Sequence, residues 1–242
     1  MTMLPILKLD DSAIPELILV VGDPNRLIEV ADRLQDVKEI GRNREYHSIT
    51  GYFKNKKLAA VSHGVGSAGA GACFEELCRG GAKKIIRAGS AGGLQRSVNA
   101  GDLVIARAAV REDGLSPKLV PLSYPALATP DLVISLREAA ISAGIEYHEG
   151  LVLTSDMFYP HDALGSDLPV WQRAGVTAVE MEAATLFVVC NLHSVETAAV
   201  LAIDGNPLDQ DGGSMETYNP RQESVKTAVA SSIEIALSAL TA

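Results

Sequence analysis

The sequence predicts an α/β fold, a three-layer α/β/α sandwich around a mixed, mainly parallel sheet. Short apolar segments of strand character alternate with segments of helical spacing along most of the 242 residues. The first of them, Leu17–Val21, is a continuous apolar run, as expected of a strand buried on both faces. A composition that is 47% hydrophobic and 21% charged excludes a disordered chain. Since no repeat or linker interrupts the pattern, we expect one domain over residues 1–242.

Local signals place the elements after this first strand. Asp23 and Pro24 are typical of the N-cap and the first position of a helix, which we expect to continue to Leu34. The further predicted strands are Arg44–Phe53, Lys57–His63, Lys84–Arg87, Asp102–Val110, Tyr147–Thr154, Val176–Val179 and Thr197–Ile203. The further predicted helices are Ser67–Arg79, Pro130–Ala143, Met181–Leu192 and one that begins at Asn219-Pro220 and ends at Leu240. Ligands of such sheets usually bind at the carboxyl ends of the strands.

The charge balance narrows the class of partner. There are 21 Lys+Arg against 30 Asp+Glu, a net charge of −9. This argues against nucleic-acid binding, which needs many cations, but it allows a small anionic substrate held by a few arginines. Three cysteines without a CxxC pair favour a reducing compartment. No signal-peptide pattern and no apolar run of about 18–20 residues is visible, so we expect a cytoplasmic protein without a membrane partner.

Glycines and arginines at predicted strand ends indicate an anion site. Nine of the 21 glycines lie between Gly64 and Gly93, where turns or a close approach to a ligand would need them. Arg26 follows Gly22 near a predicted helix N-terminus, which attracts anions. Arg87 ends an apolar strand, so it needs either a protein carboxylate or a ligand anion, and Ser90 follows it. Neither a Walker loop nor a dinucleotide fingerprint is present.

Carboxylates at two other strand ends have two interpretations each. Glu180 and Glu182 either complement the dipole of the following helix or grip the vicinal hydroxyls of a sugar. Asp204 precedes Gly205 and is either part of a turn or a general acid at a strand end. The five histidines show no metal-ligand spacing, so we expect no metal and interpret them as structural: His47, His63, His148, His161 and His193.

Eight segments together resemble the nucleoside phosphorylase-I family, which holds uridine phosphorylases and hexameric purine nucleoside phosphorylases. They run nearly end to end in the family's order, and the similarity is greatest to the purine enzymes of apicomplexan parasites. The segments are GDPNR (22–26), NREYHS (43–48), SHGVGSAG (62–69), FEEL (74–77), IIRAGSAGGLQ (85–95), AAVRED (108–113), SDMFYP (155–160) and EMEAATL (180–186).

The resemblance implies phosphorolysis, in which a purine nucleoside and inorganic phosphate give a free base and ribose 1-phosphate, with no other cofactor. It also implies a homohexamer built from dimers, in which Arg44 reaches the phosphate of the neighbouring subunit. The other residues that match family sites are Gly22, Arg26, Arg87 and Ser90 for phosphate, Glu180, Met181 and Glu182 for ribose, and Phe158, Val179 and Asp204 for the base, with Asp204 catalytic.

A purine base is favoured over a pyrimidine, although alternatives stay open. The Gln and Arg by which uridine phosphorylases read uracil are missing after Phe158, and purine members have an aspartate at the position of Asp204. Ile6 stands where related parasite enzymes have a histidine for the 5′-hydroxyl, which leaves 5′-methylthio nucleosides open as substrates. The segment Leu208–Asn219 is a candidate lid, in which Gln210 replaces a tryptophan of the family. A uridine phosphorylase and a 5′-methylthionucleoside phosphorylase or nucleosidase remain the alternatives.

Overall fold

The computed structural model describes residues 2–161, 163–208 and 222–242. A short 3-10 helix at Asp11–Ala13 precedes the first strand. The strands are β1 (Leu17–Val21), β2 (Gln35–Asn43), β3 (Tyr46–Phe53), β4 (Lys56–Ser62), β5 (Lys84–Gly93), β6 (Leu103–Glu112), β7 (Ala126–Leu127), β8 (His148–Ser155), β9 (Ala178–Glu180) and β10 (Glu196–Gly205). The helices are α1 (Arg26–Ala31), α2 (Ser67–Arg79), α3 (Ser116–Leu119), α4 (Pro130–Ser142), α5 (Leu168–Arg173), α6 (Ala183–Leu192) and α7 (Glu223–Leu240).

One mixed sheet contains all ten of these strands. Their order is β10-β6-β8-β9-β5-β1-β4-β3-β2, and β7 pairs with β6. A further pairing between β10 and β5 closes β5, β9, β8, β6 and β10 into a five-stranded barrel. From β5 the sheet continues as an open flank of β1, β4, β3 and β2. Strand β5 therefore belongs to both parts.

Helices cover both sides of the sheet, as the sequence predicts. Helix α7 packs against α4, β10 and β5, while α6 packs against α2, β6 and β10. The central strands are apolar on both faces, since Ile18 to Val21 and Ala198 to Ile203 are almost completely buried. The pairings divide evenly among the described strands: five are parallel, and five are antiparallel, namely β2–β3, β3–β4, β5–β9, β6–β7 and β6–β10. Within the described residues, none of the helices has the length and apolar character needed to span a membrane.

Three element boundaries differ from the prediction. Helix α1 begins at Arg26 rather than at Pro24, because the backbone bonds that follow Asp23 are of the i→i+3 type; the Asp23 carboxylate still accepts the N–H of Asn25 at 2.8 Å, as an N-cap does. A helix of six residues gives little support to an anion site at its N-terminus. Strand β5 continues past Arg87 to Gly93, since β10 and β9 pair with its glycine-rich half. Residues 35–43, left unassigned by the sequence, form the edge strand β2.

Other short elements lack a sequence signal. Helices α3 and α5 span only four and six residues, and β7 only two, so periodicity does not reveal them. The remaining predicted strands and helices agree with the structure to within a few residues. The candidate lid beyond Leu208, with Gln210, and the predicted helix start at Asn219-Pro220 lie outside the described residues.

Candidate active site

Most of the candidate residues lie at or just beyond the carboxyl ends of β1, β4, β9 and β10, and in the middle of β5, close to where a ligand site of this fold is expected. Parallel pairing of β1 with β4 continues just beyond the strands. The N–H of His63 donates to Val21 O at 2.9 Å, and the N–H of Gly64 donates to Gly22 O at 3.1 Å. The turn after Gly22 therefore lies beside the segment that joins β4 to α2.

Arg87 is the centre of a buried polar cluster at this edge. Its side chain is almost inaccessible, and Nη2 donates to the Glu182 carboxylate at 2.6 Å. The Glu180 carboxylate lies 3.4 Å from the same nitrogen, and Nη1 lies 2.9 Å from His63 Nε2. Among the described residues, Arg87 Nε has no hydrogen-bond partner although it is buried. The Nδ1 atom of His63 is likewise buried without a hydrogen-bond partner among the described residues. A buried N–H without an acceptor is costly, so the cluster lacks an acceptor at two nitrogens.

Glu180 has its hydrogen-bonding capacity taken up by the protein. Its carboxylate accepts from Thr154 Oγ1 at 2.6 Å and from the backbone N–H groups of Glu182 and Ala183 at 2.9 Å. These are donors of the first turn of α6, which a carboxylate satisfies. Thr154 also accepts the N–H of Ala184 at 2.8 Å. The geometry thus gives Glu180 a helix-capping role, and its ribose contact stays a prediction.

Glu182 connects Arg87 to the loop before α2. The second oxygen of its carboxylate accepts the N–H of Gly66 at 2.5 Å, and the hydroxyl of Ser67 donates to Met181 O at 2.9 Å. Burial and the neighbouring Glu180 carboxylate raise the pKa of Glu182 above its usual value, outweighing the opposing effect of Arg87. Residues 64–67 and 180–182 are therefore held together as one unit around Arg87.

Arg26 lies close enough to Arg87 for the two cations to repel each other. Burial lowers the pKa of Arg26, and the charge of Arg87 lowers it further, while Asp23 and Asp204 raise it. A Cβ atom on Gly22 would be 3.8 Å from Arg87 Nη1 and 3.8 Å from His63 Cε1. Gly22, Arg26 and Arg87 thus converge as the sequence predicts, and two nearby guanidinium groups create a strongly anion-attracting point.

Ser90 occupies a different setting from the one expected. Instead of opening a loop after the strand, it lies within β5 and is paired with Ala202 of β10, half-buried. The backbone that follows it belongs to the sheet, since β10 and β9 pair with β5 as far as Gly93. The Ser90 hydroxyl remains a candidate phosphate contact.

Asp204 lies at an irregularity in the barrel. The register between β10 and β5 shifts between Ile203 and Gly205, so Asp204 is the bulged residue. Bulges redirect a side chain at a site, and here they bring the carboxylate into electrostatic reach of Arg26. Among the other base candidates, Val179 lies on β9 opposite Gly92, and Phe158 follows β8 with its ring about half exposed and in edge contact with Tyr159.

Arg44 lies apart from this cluster, on the turn between β2 and β3. It is exposed and has a left-handed backbone with φ of 55°. The same turn contacts the glycine segment, because a Cβ on Gly64 would lie 2.7 Å from Glu45 Cγ. An exposed arginine on a fixed turn suits a contact to another subunit, and that role stays a prediction.

Sequence reasoning missed two side chains of the cluster. His63 was interpreted as a structural histidine, and Thr154 was only the end of a strand. Both contact the central charges directly. Their position at predicted strand ends, level with Gly22 and Glu180, is the sequence signal that would have indicated them.

Comparison with known proteins assigns the family. The model of the Phosphorylase superfamily matches residues 16–241. The chain belongs to this superfamily. Among curated proteins, a purine nucleoside phosphorylase of Plasmodium falciparum is 41% identical over 211 residues, covering 87% of this chain and 86% of that protein. A uridine phosphorylase of Thermococcus kodakarensis is 35% identical, covering 81% of this chain and 75% of that protein.

Solved structures of the superfamily agree with the fold described above. The purine nucleoside phosphorylase of Toxoplasma gondii, in complex with immucillin-H, superimposes with a TM-score of 0.94 and 33% identity. The alignment covers 99% of this chain and 96% of that one. The family resemblance seen in the motifs is therefore confirmed, and so is the α/β architecture with helices on both sides of a mixed sheet.

Proposed function

We propose that this member of the superfamily is a purine nucleoside phosphorylase, a pentosyltransferase that splits purine ribonucleosides and 2′-deoxyribonucleosides with inorganic phosphate. The observation that carries the proposal is the Arg87 cluster. A buried guanidinium that lacks an acceptor at Nε, next to a second guanidinium, fits a phosphate oxygen better than it fits water alone. The similarity to purine nucleoside phosphorylases of two apicomplexan genera supports the choice of base.

The proposed mechanism follows from the positive charge that develops on the sugar and the negative charge that develops on the leaving base in the transition state. Cleavage of an N-glycosidic bond passes through an oxocarbenium-like sugar, as glycoside hydrolysis does. Phosphate held by Arg26 and Arg87 on the face opposite the base supplies the nucleophile and places negative charge beside the developing cation. Glu182 and Met181 lie at the same edge to hold the ribose. The Asp204 carboxyl would donate a proton or hydrogen bond to purine N7 as the base departs with the bonding electrons.

A uridine phosphorylase is the second candidate, because relatives of that name match most of the chain. Against it, the sequence lacks the expected uracil-reading Gln and Arg after Phe158. A 5′-methylthionucleoside phosphorylase or nucleosidase stays open because Ile6 replaces the expected histidine. Ile6 is fixed by its N–H, which donates to Glu76 at 2.7 Å.

The first test is a substrate panel in buffers with and without phosphate. We expect inosine and guanosine to be converted to base and ribose 1-phosphate only when phosphate is present, with a kcat/KM well above that for uridine. Adenosine and 5′-methylthioinosine complete the panel. Equal inosine turnover without phosphate would indicate a nucleosidase, and a preference for uridine would make the pyrimidine assignment correct.

We further propose a homohexamer assembled from dimers, located in the cytoplasm, in which Arg44 of one subunit completes the phosphate site of its neighbour. Support comes from the exposed position of Arg44 on the β2–β3 turn and from the family resemblance. The three cysteines are unpaired and buried, as in a reducing compartment. The chain would then need a second copy for catalysis although its core is complete.

Subunit mixing distinguishes donation across an interface from action within one subunit. Arg44→Ala alone should lower kcat/KM for phosphate about ten- to hundred-fold, the value of one charge-assisted hydrogen bond of about 1.5–3 kcal/mol. Arg87→Ala should be nearly inactive. Co-expressed Arg44→Ala and Arg87→Ala chains should regain activity, because one site of a mixed dimer has both arginines. No recovery in mixed dimers that mass spectrometry identifies would place Arg44 in its own subunit's site or outside any site.

A further inference from the structure

His63 is completely buried at the carboxyl end of β4 and faces the guanidinium of Arg87. The distance between His63 Nε2 and Arg87 Nη1 is 2.9 Å, and the imidazole packs against Phe74 in a T-shaped contact, with ring centroids 5.2 Å apart. His63 Cε1 and Arg87 Nη1 are equally close to the Cβ position of Gly22. The imidazole therefore lies directly beside the proposed phosphate position.

The chemistry of the pair fixes the state of the imidazole. A guanidinium has only donors and stays protonated, so His63 Nε2 must be the acceptor. The ring is then neutral, with its proton on Nδ1, a buried atom that has no hydrogen-bond partner among the described residues. Burial lowers the pKa of His63 well below its usual value, and the charges of Arg87 and Arg26 lower it further. An imidazolium would place a donor against a donor and a third positive charge beside two others.

The guanidinium of Arg87 is enclosed on its other sides as well. Glu182 binds Nη2, and a Cβ on Gly89 would lie 2.7 Å from Arg87 Cζ, so the backbone of β5 packs against the guanidinium. The acceptor on His63 is the contact that fixes Nη1. Without it, Nη1 loses its hydrogen-bond acceptor, and the planar group is oriented only by the glutamate contacts and by its packing against β5.

We propose that neutral His63 is a positioning residue that orients Arg87 toward phosphate by accepting a hydrogen bond from Nη1. The proposal rests on the proposed function in so far as Arg87 binds phosphate. On the proposed assignment, His63 touches neither the base nor the sugar. Its loss should therefore weaken phosphate binding selectively and leave nucleoside binding nearly unchanged.

The test compares substitutions that keep or remove the acceptor at the place of Nε2. His63→Gln carries its amide oxygen near that place, His63→Asn carries it one bond too short, and His63→Leu has none. We expect His63→Leu and His63→Asn to raise the KM for phosphate, and its Kd measured by titration calorimetry, about ten-fold or more. In His63→Gln both constants should lie within about three-fold of the wild-type values. The KM for inosine should change less than about two-fold. Thermal melting of each variant shows that it is folded at the assay temperature.

His193→Leu is the matched control for removing an imidazole. His193 caps the far end of α6, about 15 Å along the helix from Glu182, so neither constant should change. An equal rise in both KM values, a Gln variant as weak as Leu, or no change in any variant would overturn the role of His63. Calorimetry separates this outcome from failure of the proposed function. Wild-type protein that binds phosphate but does not turn over nucleosides would contradict the phosphorylase proposal while the His63 series still decides the inference.

Discussion

Arg87→Leu should lower kcat/KM for phosphate by at least about 10³-fold. The substitution removes two charge-assisted hydrogen bonds to phosphate, worth about 1.5–3 kcal/mol each. It also releases the carboxylates that Arg87 holds in place within the protein. The substitution also leaves the buried Glu180 and Glu182 without their cation. Breaking a buried ion pair on one side costs about 3–5 kcal/mol, a large part of a stability of about 5–15 kcal/mol.

The stability loss of Arg87→Leu should depend on pH in a defined direction. The pKa of Glu182 is already raised in the native protein, and removal of Arg87 raises it further. A carboxyl whose pKa is higher in the folded than in the unfolded state binds more protons when folded, so its effect on stability becomes more unfavourable as the pH rises. The melting temperature of the variant should therefore move closer to that of the wild type as the pH is lowered from 7.5 to 5.5.

Arg87→Lys is the control for charge alone. A lysine keeps the cation for Glu182 but lacks the planar fork, so it should recover most of the melting temperature and little of the phosphate affinity. If Lys restored kcat/KM to within a few-fold of wild type, a point charge would suffice and the geometry of the guanidinium would not matter.

Asp204→Ala should reduce kcat for inosine by about 10²–10⁴-fold, the usual contribution of a general acid. Without a donor at N7 the purine leaves as an anion, which is a poor leaving group. A nucleoside methylated at N7 carries its positive charge already and needs no proton. Asp204→Ala should therefore convert 7-methylinosine at close to the wild-type rate, measured by release of the base.

The pair of substrates separates leaving-group stabilisation from a structural effect at the β10 bulge. A misplaced backbone would slow both substrates alike, since both need the same ribose and phosphate contacts. Equal losses for inosine and 7-methylinosine, or a loss below a few-fold for inosine, would remove Asp204 from the role of general acid. Asp204→Asn adds a test of hydrogen bonding without proton donation and should lie between wild type and Ala.

The fold class and the convergence of Gly22, Arg26 and Arg87 could be predicted because they depend on local pattern. Buried strands read as apolar runs, and residues after parallel strands meet at one edge of the sheet. The barrel could not be predicted, since it depends on the pairing of β10 with β5 and on a three-residue strand, β9. The position of Ser90 was misjudged for the same reason: glycine-rich sequence favours a loop, and tertiary pairing decides otherwise.

The pairing of charges is also a tertiary result. The sequence left open whether Arg87 binds a protein carboxylate or a ligand. In the structure it forms ion pairs with Glu182 and Glu180, and its Nε–H has no hydrogen-bond acceptor among the described residues. Arg87 and Glu182 are 95 residues apart in the chain, and nothing in a single sequence indicates a contact between residues so far apart. The role of His63 was not predicted for a related reason. A single histidine in a sequence has no pattern that distinguishes a hydrogen-bond partner of an arginine from a packed core side chain.

The shared strand β5 has a consequence for how such enzymes diversify. On the proposed assignment, the open flank contributes Gly22 and Arg44 to phosphate, whereas the barrel contributes Val179, Asp204 and, after β8, Phe158 to the base. Arg87 lies on β5, the strand that the flank and the barrel share. Substitutions in the barrel loops would then alter which base is accepted without touching the flank residues that contact phosphate. An architecture divided in this way would allow purine and pyrimidine specificity on one scaffold.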